Sequence, residues 1–215
     1  MATTLIFLRH GESEANFEHR FTGQSNVYGL TARGHAQAEA AAVFLDGTLI
    51  DAVAASDLRR AWDTACHVAE RRGLTVEAVP GMREIFAGAW EGELFADLPA
   101  LYPEAFGVWL NNIGAAVCTG GEAVVDLQVR VRGAVEDIVR AHPGQTVLIG
   151  THATPIRVMQ CIWQGIPLSG MKDVPWVPNA SLTTVVYEDD LSFHDVRIGE
   201  TAHLVGMETA LPKNV

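Results

Sequence analysis

The hydrophobic pattern switches repeatedly between short unbroken apolar runs and longer stretches with helical spacing. Residues 3–8, TTLIFL, read as a buried strand. Thr31 is placed to cap a helix reaching about residue 46, with Gly47 as its stop and Ala36, Ala40, Val43 and Phe44 on one face. Residues 51–55 predict a second short strand, and residues 58–72 a helix ended by Gly73. A third strand over 75–79 closes at Pro80-Gly81. From 90 to 109 the chain is aromatic and apolar but carries Pro99 and Pro103, which predicts short helices and loops. The clearest helix covers 122–141, where Val124, Leu127, Val131, Val135 and Ile138 recur at helical spacing before Pro143-Gly144. Residues 146–149 predict a strand that delivers GTHATPIR, with Thr154 and Pro155 suited to the cap and first turn of a following helix. The tail SLTTVVYEDDLSFHDVRI predicts two strands around an acidic turn at 188–190.

This alternation of strand and helix predicts an α/β fold, a three-layer α/β/α sandwich around a mostly parallel central sheet. With no repeat, linker or low-complexity tract, residues 1–215 read as a single domain. Such sheets bind ligands outside the carboxyl ends of their strands. The rule connects distant residues. One predicted strand ends at Arg9-His10, another at Ser56 just before Arg59-Arg60, and a third at Thr151-His152. If these strands are parallel neighbours, two histidines and at least two arginines meet at one rim.

Composition narrows the partners. At 48% apolar and 19% charged residues, the chain reads as a soluble globular domain. No apolar run approaches ~20 residues, and the N-terminus lacks the basic and apolar regions of a secretion signal, so neither a membrane nor export is expected. Cys66, Cys118 and Cys161 are odd in number and widely spaced, which suits free thiols in the cytoplasm. A formal net charge of −11 argues against nucleic acid. It leaves room for a local cationic pocket, because screening cuts off distant surface charge beyond ~8 Å. No motif encodes the assembly state; a homodimer is the first alternative to a monomer.

Any one of Arg9, His10, Glu12, Arg59 or Arg60 alone would be an ordinary surface or turn residue. Together they describe a chemistry. The planar fork of arginine suits phosphate oxygens. Imidazole serves as a nucleophile as well as a proton carrier. Cations around a phosphoryl group stabilise its transition state mainly by position and charge. The residues therefore point to phosphoryl transfer. A metal held by His10 and His152 is the competing reading, but the sequence shows no H-x-x-x-H or H-E-x-x-H spacing and the arginines would repel a cation. His19, His35, His67, His142, His194 and His203 read as ordinary surface or core residues.

The ordered motifs resemble the histidine phosphatase superfamily, the phosphoglycerate mutase-like proteins. LRHGESEAN is similar to its signature. FTGQSNVYGLTARGHAQA, SDLRRAWDTA, REIFAGAWEG, GGEAVVDLQVRV, GTHATPIR, PNASLTTVVY and AHL follow in family order over nearly the whole chain. The resemblance implies the phosphoglycerate mutase-like fold with a cap-like insertion at about 86–120. It implies His10 as the nucleophile that becomes phosphohistidine, Arg9 and Arg60 as the phosphoryl grip, and His152 as the completion of that pocket. It implies Glu84 as the acid for the departing oxygen, a structural role for Glu12, and Asn16, Thr22, Gly23 and Ala153 as pocket lining. Chemistry without a metal or cofactor is the expectation. Helical periodicity does not separate Arg59 from Arg60; the motif register selects Arg60.

Three positions depart from the family pattern. Ala153 stands where glycine is usual, Thr151 where serine is usual, and Ala123 where GGES would have serine. A Cβ at 153 is strained at positive φ and harmless at negative φ. Residues 84–129 contain no Lys or Arg, whereas a mutase carries extra cations there for a carboxylate and a second phosphate. The expected function is therefore a phosphomonoesterase for a small phosphorylated metabolite with a neutral, apolar or cationic remainder. A phosphoglycerate mutase is the alternative. A silent binding module of the same fold is a remote one, since it would not need all five motif residues. The tryptophans Trp90, Trp109, Trp163 and Trp176 read first as core, and the aromatics of 86–109 suit cap packing and substrate contact equally.

Overall fold

A computed structural model describes residues 1–209; the C-terminal end of the expected domain, 210–215, lies outside the described residues. Along the chain come β1 (Thr3–Arg9), α1 (Glu14–Phe17), α2 (Ala32–Phe44), β2 (Ala52–Ala55), α3 (Arg59–Glu70) and β3 (Val76–Ala78). Then follow α4 (Leu98–Leu101), α5 (Pro103–Asn111), α6 (Val124–Ala141), β4 (Thr146–Thr151), α7 (Ala153–Trp163), β5 (Leu182–Tyr187) and β6 (Phe193–Glu200).

The strands form one six-stranded sheet in the order β3-β2-β4-β1-β5-β6. β3, β2, β4 and β1 are mutually parallel, while β5 runs antiparallel to both β1 and β6. Alternation along β1 sorts the layers. Leu5 and Phe7 enter a core with Val131, Val135 and Ile138 of α6 and Met159 of α7. Ile6 and Leu8 enter a second core with Ala41 and Ala42 of α2 and Ala65 and Val68 of α3. Helices therefore cover both faces, and the three-layer α/β/α expectation holds.

The apolar stripe expected on α6 is the buried one: Val124, Leu127, Val131 and Val135 are at 0% exposure and Ile138 is buried beside them. The face expected on α2 is not. Val43 and Phe44 are half-exposed, whereas Gly34, Gln37, Ala38, Ala41 and Ala42 are buried. Alanine occurs on every side of this helix, so hydrophobicity carries little contrast there. Size decides instead, because small residues let α2 approach closely. A Cβ on Gly34 would fall 2.0 Å from the Glu12 carbonyl oxygen, and one on Gly11 would fall 2.4 Å from the Gly34 carbonyl oxygen. The loop after β1 is thereby pressed onto the start of α2, and Thr31 caps that start as expected, accepting from Gly34 N at 3.0 Å.

The start of α7 also differs from expectation. His152 is the N-cap, with extended backbone at φ −127° and ψ 174°, and Thr154 and Pro155 are already inside the first turn. Proline is tolerated there because the first turn has no intrahelical acceptor for its N–H groups. The shift matters because it puts His152 at the junction of β4 and α7.

Candidate active site

The parallel register places the three strand ends side by side. Arg9 pairs with Thr151 across β1 and β4, and Ala55 pairs with Gly150 across β2 and β4. Arg9, His10, Arg60, Glu84, Asn16, Thr22, Gly23 and Ala153 border one cavity. His152 lies fully buried against His10, with ring centroids 5.2 Å apart in an edge-on arrangement. All nine residues singled out in the sequence are therefore brought together.

The backbone fixes His10. Its Nδ1 lies 2.7 Å from the Gly11 carbonyl oxygen, which only accepts, so Nδ1 carries the proton and Nε2 keeps a lone pair. Burial, then Arg60 and Arg9, hold its pKa well below the ordinary histidine value. His152 is shifted in the same direction by burial, then Arg60, His10 and Arg9. Both rings are neutral at pH 7.

Two buried guanidinium groups face these rings. Arg9 donates to the Val177 carbonyl, and Arg60 donates to Gly23 O at 2.8 Å and Ser25 O at 3.1 Å. Each leaves a buried Nε without a protein acceptor. Burial pulls both pKa values down to about 10, opposed by Glu84, so both stay charged at pH 7. Arg59 instead points outward and pairs with Asp63 at 3.4 Å. The structure thus separates the two arginines that periodicity could not.

Glu84 accepts backbone N–H groups on both oxygens, from Ile85 at 2.7 Å and from Thr154 at 3.2 Å. A carboxylate has about four acceptor sites, so each oxygen keeps one toward the cavity. Glu12 points away from this chemistry. It accepts from the Thr31 hydroxyl at 2.8 Å and from Thr209 at 3.2 Å, a structural role. Ala153 has helical backbone, so its Cβ brings no strain. Ala123 caps α6 without a side-chain hydrogen bond.

The cavity continues outward past Phe21, Phe95, Trp109, Trp176 and Arg20. Trp90 and Trp163 are core as expected, but Trp109 and Trp176 also border the cavity. Of Arg20, Arg33, Arg59 and Arg83, only Arg20 reaches it, and Glu18 holds its Nε at 2.6 Å.

Three positioning elements escaped the sequence reading. Asn179 donates to His10 O at 3.0 Å, Gly11 O at 3.3 Å and Asn16 Oδ1 at 3.1 Å, clasping the loop after β1. Arg130 is held by Glu122 at 2.8 and 2.9 Å and donates to the carbonyls of Gly81, Arg83 and Glu84. Ser56 lies 2.8 Å from His152 Nε2. All fall within recognisable motifs, but no motif states which backbone group a side chain will reach.

A recess lined by Arg9, Arg60 and His10 at the strand ends of this sheet defines the class. The chain belongs to the histidine phosphatase superfamily, branch 1, whose sequence profile matches residues 5–196. It is 34% identical over 165 residues to phosphoserine phosphatase 1 of Hydrogenobacter thermophilus, across 77% of this chain and 78% of that protein. It is 32% identical over 190 residues to glucosyl-3-phosphoglycerate phosphatase of Mycobacterium tuberculosis, across 85% of this chain and 84% of that one. Bacillus stearothermophilus YhfR superposes with a TM-score of 0.89 at 30% identity, over 94% of this chain and 99% of that one. Among the described residues no helix is long and apolar enough to cross a membrane.

Proposed function

We propose that the protein is a phosphomonoesterase that hydrolyses a small phosphorylated metabolite through phosphohistidine at His10. The observation that carries this is a neutral imidazole with its lone pair on Nε2, held between two charged, buried arginines. Nε2 attacks phosphorus, the ester P–O bond breaks, and Glu84 gives its proton to the departing oxygen. Water then attacks the phosphohistidine, Glu84 takes the proton from that water, the P–N bond breaks, and phosphate leaves. Arg9 and Arg60 follow the phosphoryl oxygens through both steps, and His152 donates to them. Their charge fills the part that a divalent metal plays in other phosphoryl transfers, so no metal or cofactor is assigned. Asn16, Thr22, Gly23 and Ala153 line the pocket.

The rest of the cavity supports a phosphatase over a mutase. A mutase must retain a doubly phosphorylated intermediate. Here the outer wall is aromatic, and its one bordering arginine is already paired with Glu18. Both named relatives are phosphatases. Residues 86–120 serve as the cap, with Phe95 and Trp109 reaching the cavity from it. The free thiols Cys66, Cys118 and Cys161 suit the cytoplasm, and a formal net charge of −11 argues against a nucleic-acid partner.

The test is rapid quenching of labelled substrate turnover in EDTA. Label on His10 should survive alkali and be lost in acid, and inorganic phosphate should be the product. Normal labelling of His10→Ala, or conversion of 3-phosphoglycerate to 2-phosphoglycerate outrunning phosphate release, would refute the proposal.

A further inference from the structure

Ser56 directly follows β2 and opens the SDLRRAWDTA motif, and the proposed mechanism leaves its hydroxyl without a part. It is fully buried and so is its neighbour His152. The serine oxygen makes two contacts: it accepts from Leu58 N at 3.3 Å, and it lies 2.8 Å from His152 Nε2. A hydroxyl has one proton to give. If His152 Nε2 carried a proton, Oγ would accept from both neighbours, and its own buried proton would have no acceptor. If Nε2 carries the lone pair, the serine and Nε2 are both satisfied: Leu58 N–H donates to Oγ, and Oγ–H donates to Nε2. A buried hydroxyl is expected to take the satisfied arrangement.

The other nitrogen supports the same assignment. His152 is the N-cap of α7, where a lone pair on Nδ1 could accept from the helix's first N–H groups, yet the side chain makes no capping bond. Nδ1 is instead buried without a protein partner, and the His152 ring stands edge-on to His10. Burial and the arginines keep the ring neutral, so it holds one proton.

We infer that Ser56 is a positioning residue that fixes His152 as the Nδ1–H tautomer, aiming a neutral hydrogen-bond donor at the phosphoryl group on His10. The two histidines are then complementary. The Gly11 carbonyl fixes His10 with its lone pair on Nε2, and the Ser56 hydroxyl fixes His152 with its proton on Nδ1. Without Ser56 the ring is free to take the other tautomer, which presents a lone pair to an anion and repels it. The tautomer follows from the hydrogen bonds alone; its use in catalysis rests on the phosphohistidine reading above.

The experiment is long-range proton–nitrogen NMR on the 15N-labelled full chain at neutral pH, with His152→Gln used to assign the signals. The wild-type His152 should show an unprotonated, pyridine-type Nε2 and a protonated, pyrrole-type Nδ1. Ser56→Ala should move the signals toward the opposite tautomer and slow single-turnover phosphorylation of His10 by about 10-fold, the scale of one hydrogen bond. Ser56→Thr, which keeps the hydroxyl, should restore both. A protonated Nε2 in the wild type overturns the inference, as do His152 signals unchanged in Ser56→Ala. The expected tautomer in a protein that never acquires phosphate on His10 would overturn the phosphohistidine reading and leave the tautomer assignment standing.

Discussion

Each reacting group in this site is governed by one or two bonds to its neighbours. Glu84 shows how this can be tested. Its carboxyl reaches the cavity from a loop and is held by the backbone N–H groups of Ile85 and Thr154. As the proposed acid for the departing oxygen, it should matter most when that oxygen is a poor leaving group. Glu84→Gln should slow phosphorylation by alkyl phosphates by ~10²–10⁴-fold and by p-nitrophenyl phosphate far less. Single-turnover rates for the two substrates compare the effects directly. Equal losses would reduce Glu84 to a group that shapes the pocket.

At the scale of elements, the loop that carries Glu84 is pinned from α6. Arg130 joins the Glu122 carboxylate to three carbonyls of that loop's approach, those of Gly81, Arg83 and Glu84. Close backbone approach tightens the same corner, since a Cβ on Gly121 would fall 2.2 Å from the Phe86 carbonyl oxygen. Arg130→Met should therefore copy the substrate pattern of Glu84→Gln at smaller amplitude, with a misplaced acid costing up to about 10²-fold on alkyl phosphates. A loss equal for alkyl and p-nitrophenyl phosphates would mean that Arg130 supports the fold and not the placement of the acid.

For the whole molecule, burying two neutral imidazoles links stability to pH. His10 and His152 have folded-state pKa values well below the ordinary 6.5. Between those values the unfolded chain binds protons that the folded chain refuses. Stability is thus fully present above pH 6.5 and is lost as pH falls through that value, by about 1.4 kcal/mol per pH unit for each histidine. Urea unfolding between pH 7 and pH 5 should show this slope, and His10→Asn should remove one histidine's share. An unchanged slope in that variant would show that His10 takes up a proton in the folded state.

How much of this was written in the sequence depends on what kind of interaction set each feature. Strand and helix order and the stripe on α6 were legible, because short-range periodicity determines them; the five central residues were selected by motif resemblance, and strand ends at Arg9-His10 and before His152 placed their charges at one rim. The buried face of α2 was misread because its alanines give hydrophobicity nothing to distinguish, and close approach to the loop after β1 chose the face. Arg59 and Arg60 are adjacent, so helical periodicity could not tell which one turns inward; the motif resemblance selected Arg60, and it is Arg60 that borders the cavity. Asn179 meets His10, and Ser56 meets His152, across 169 and 96 residues of chain. Contacts of that range have no local signature. They come into being only when parallel pairing of β1, β4 and β2 brings the strand ends together, and that pairing, set by the packing of helices on both faces, is what the tertiary structure decided.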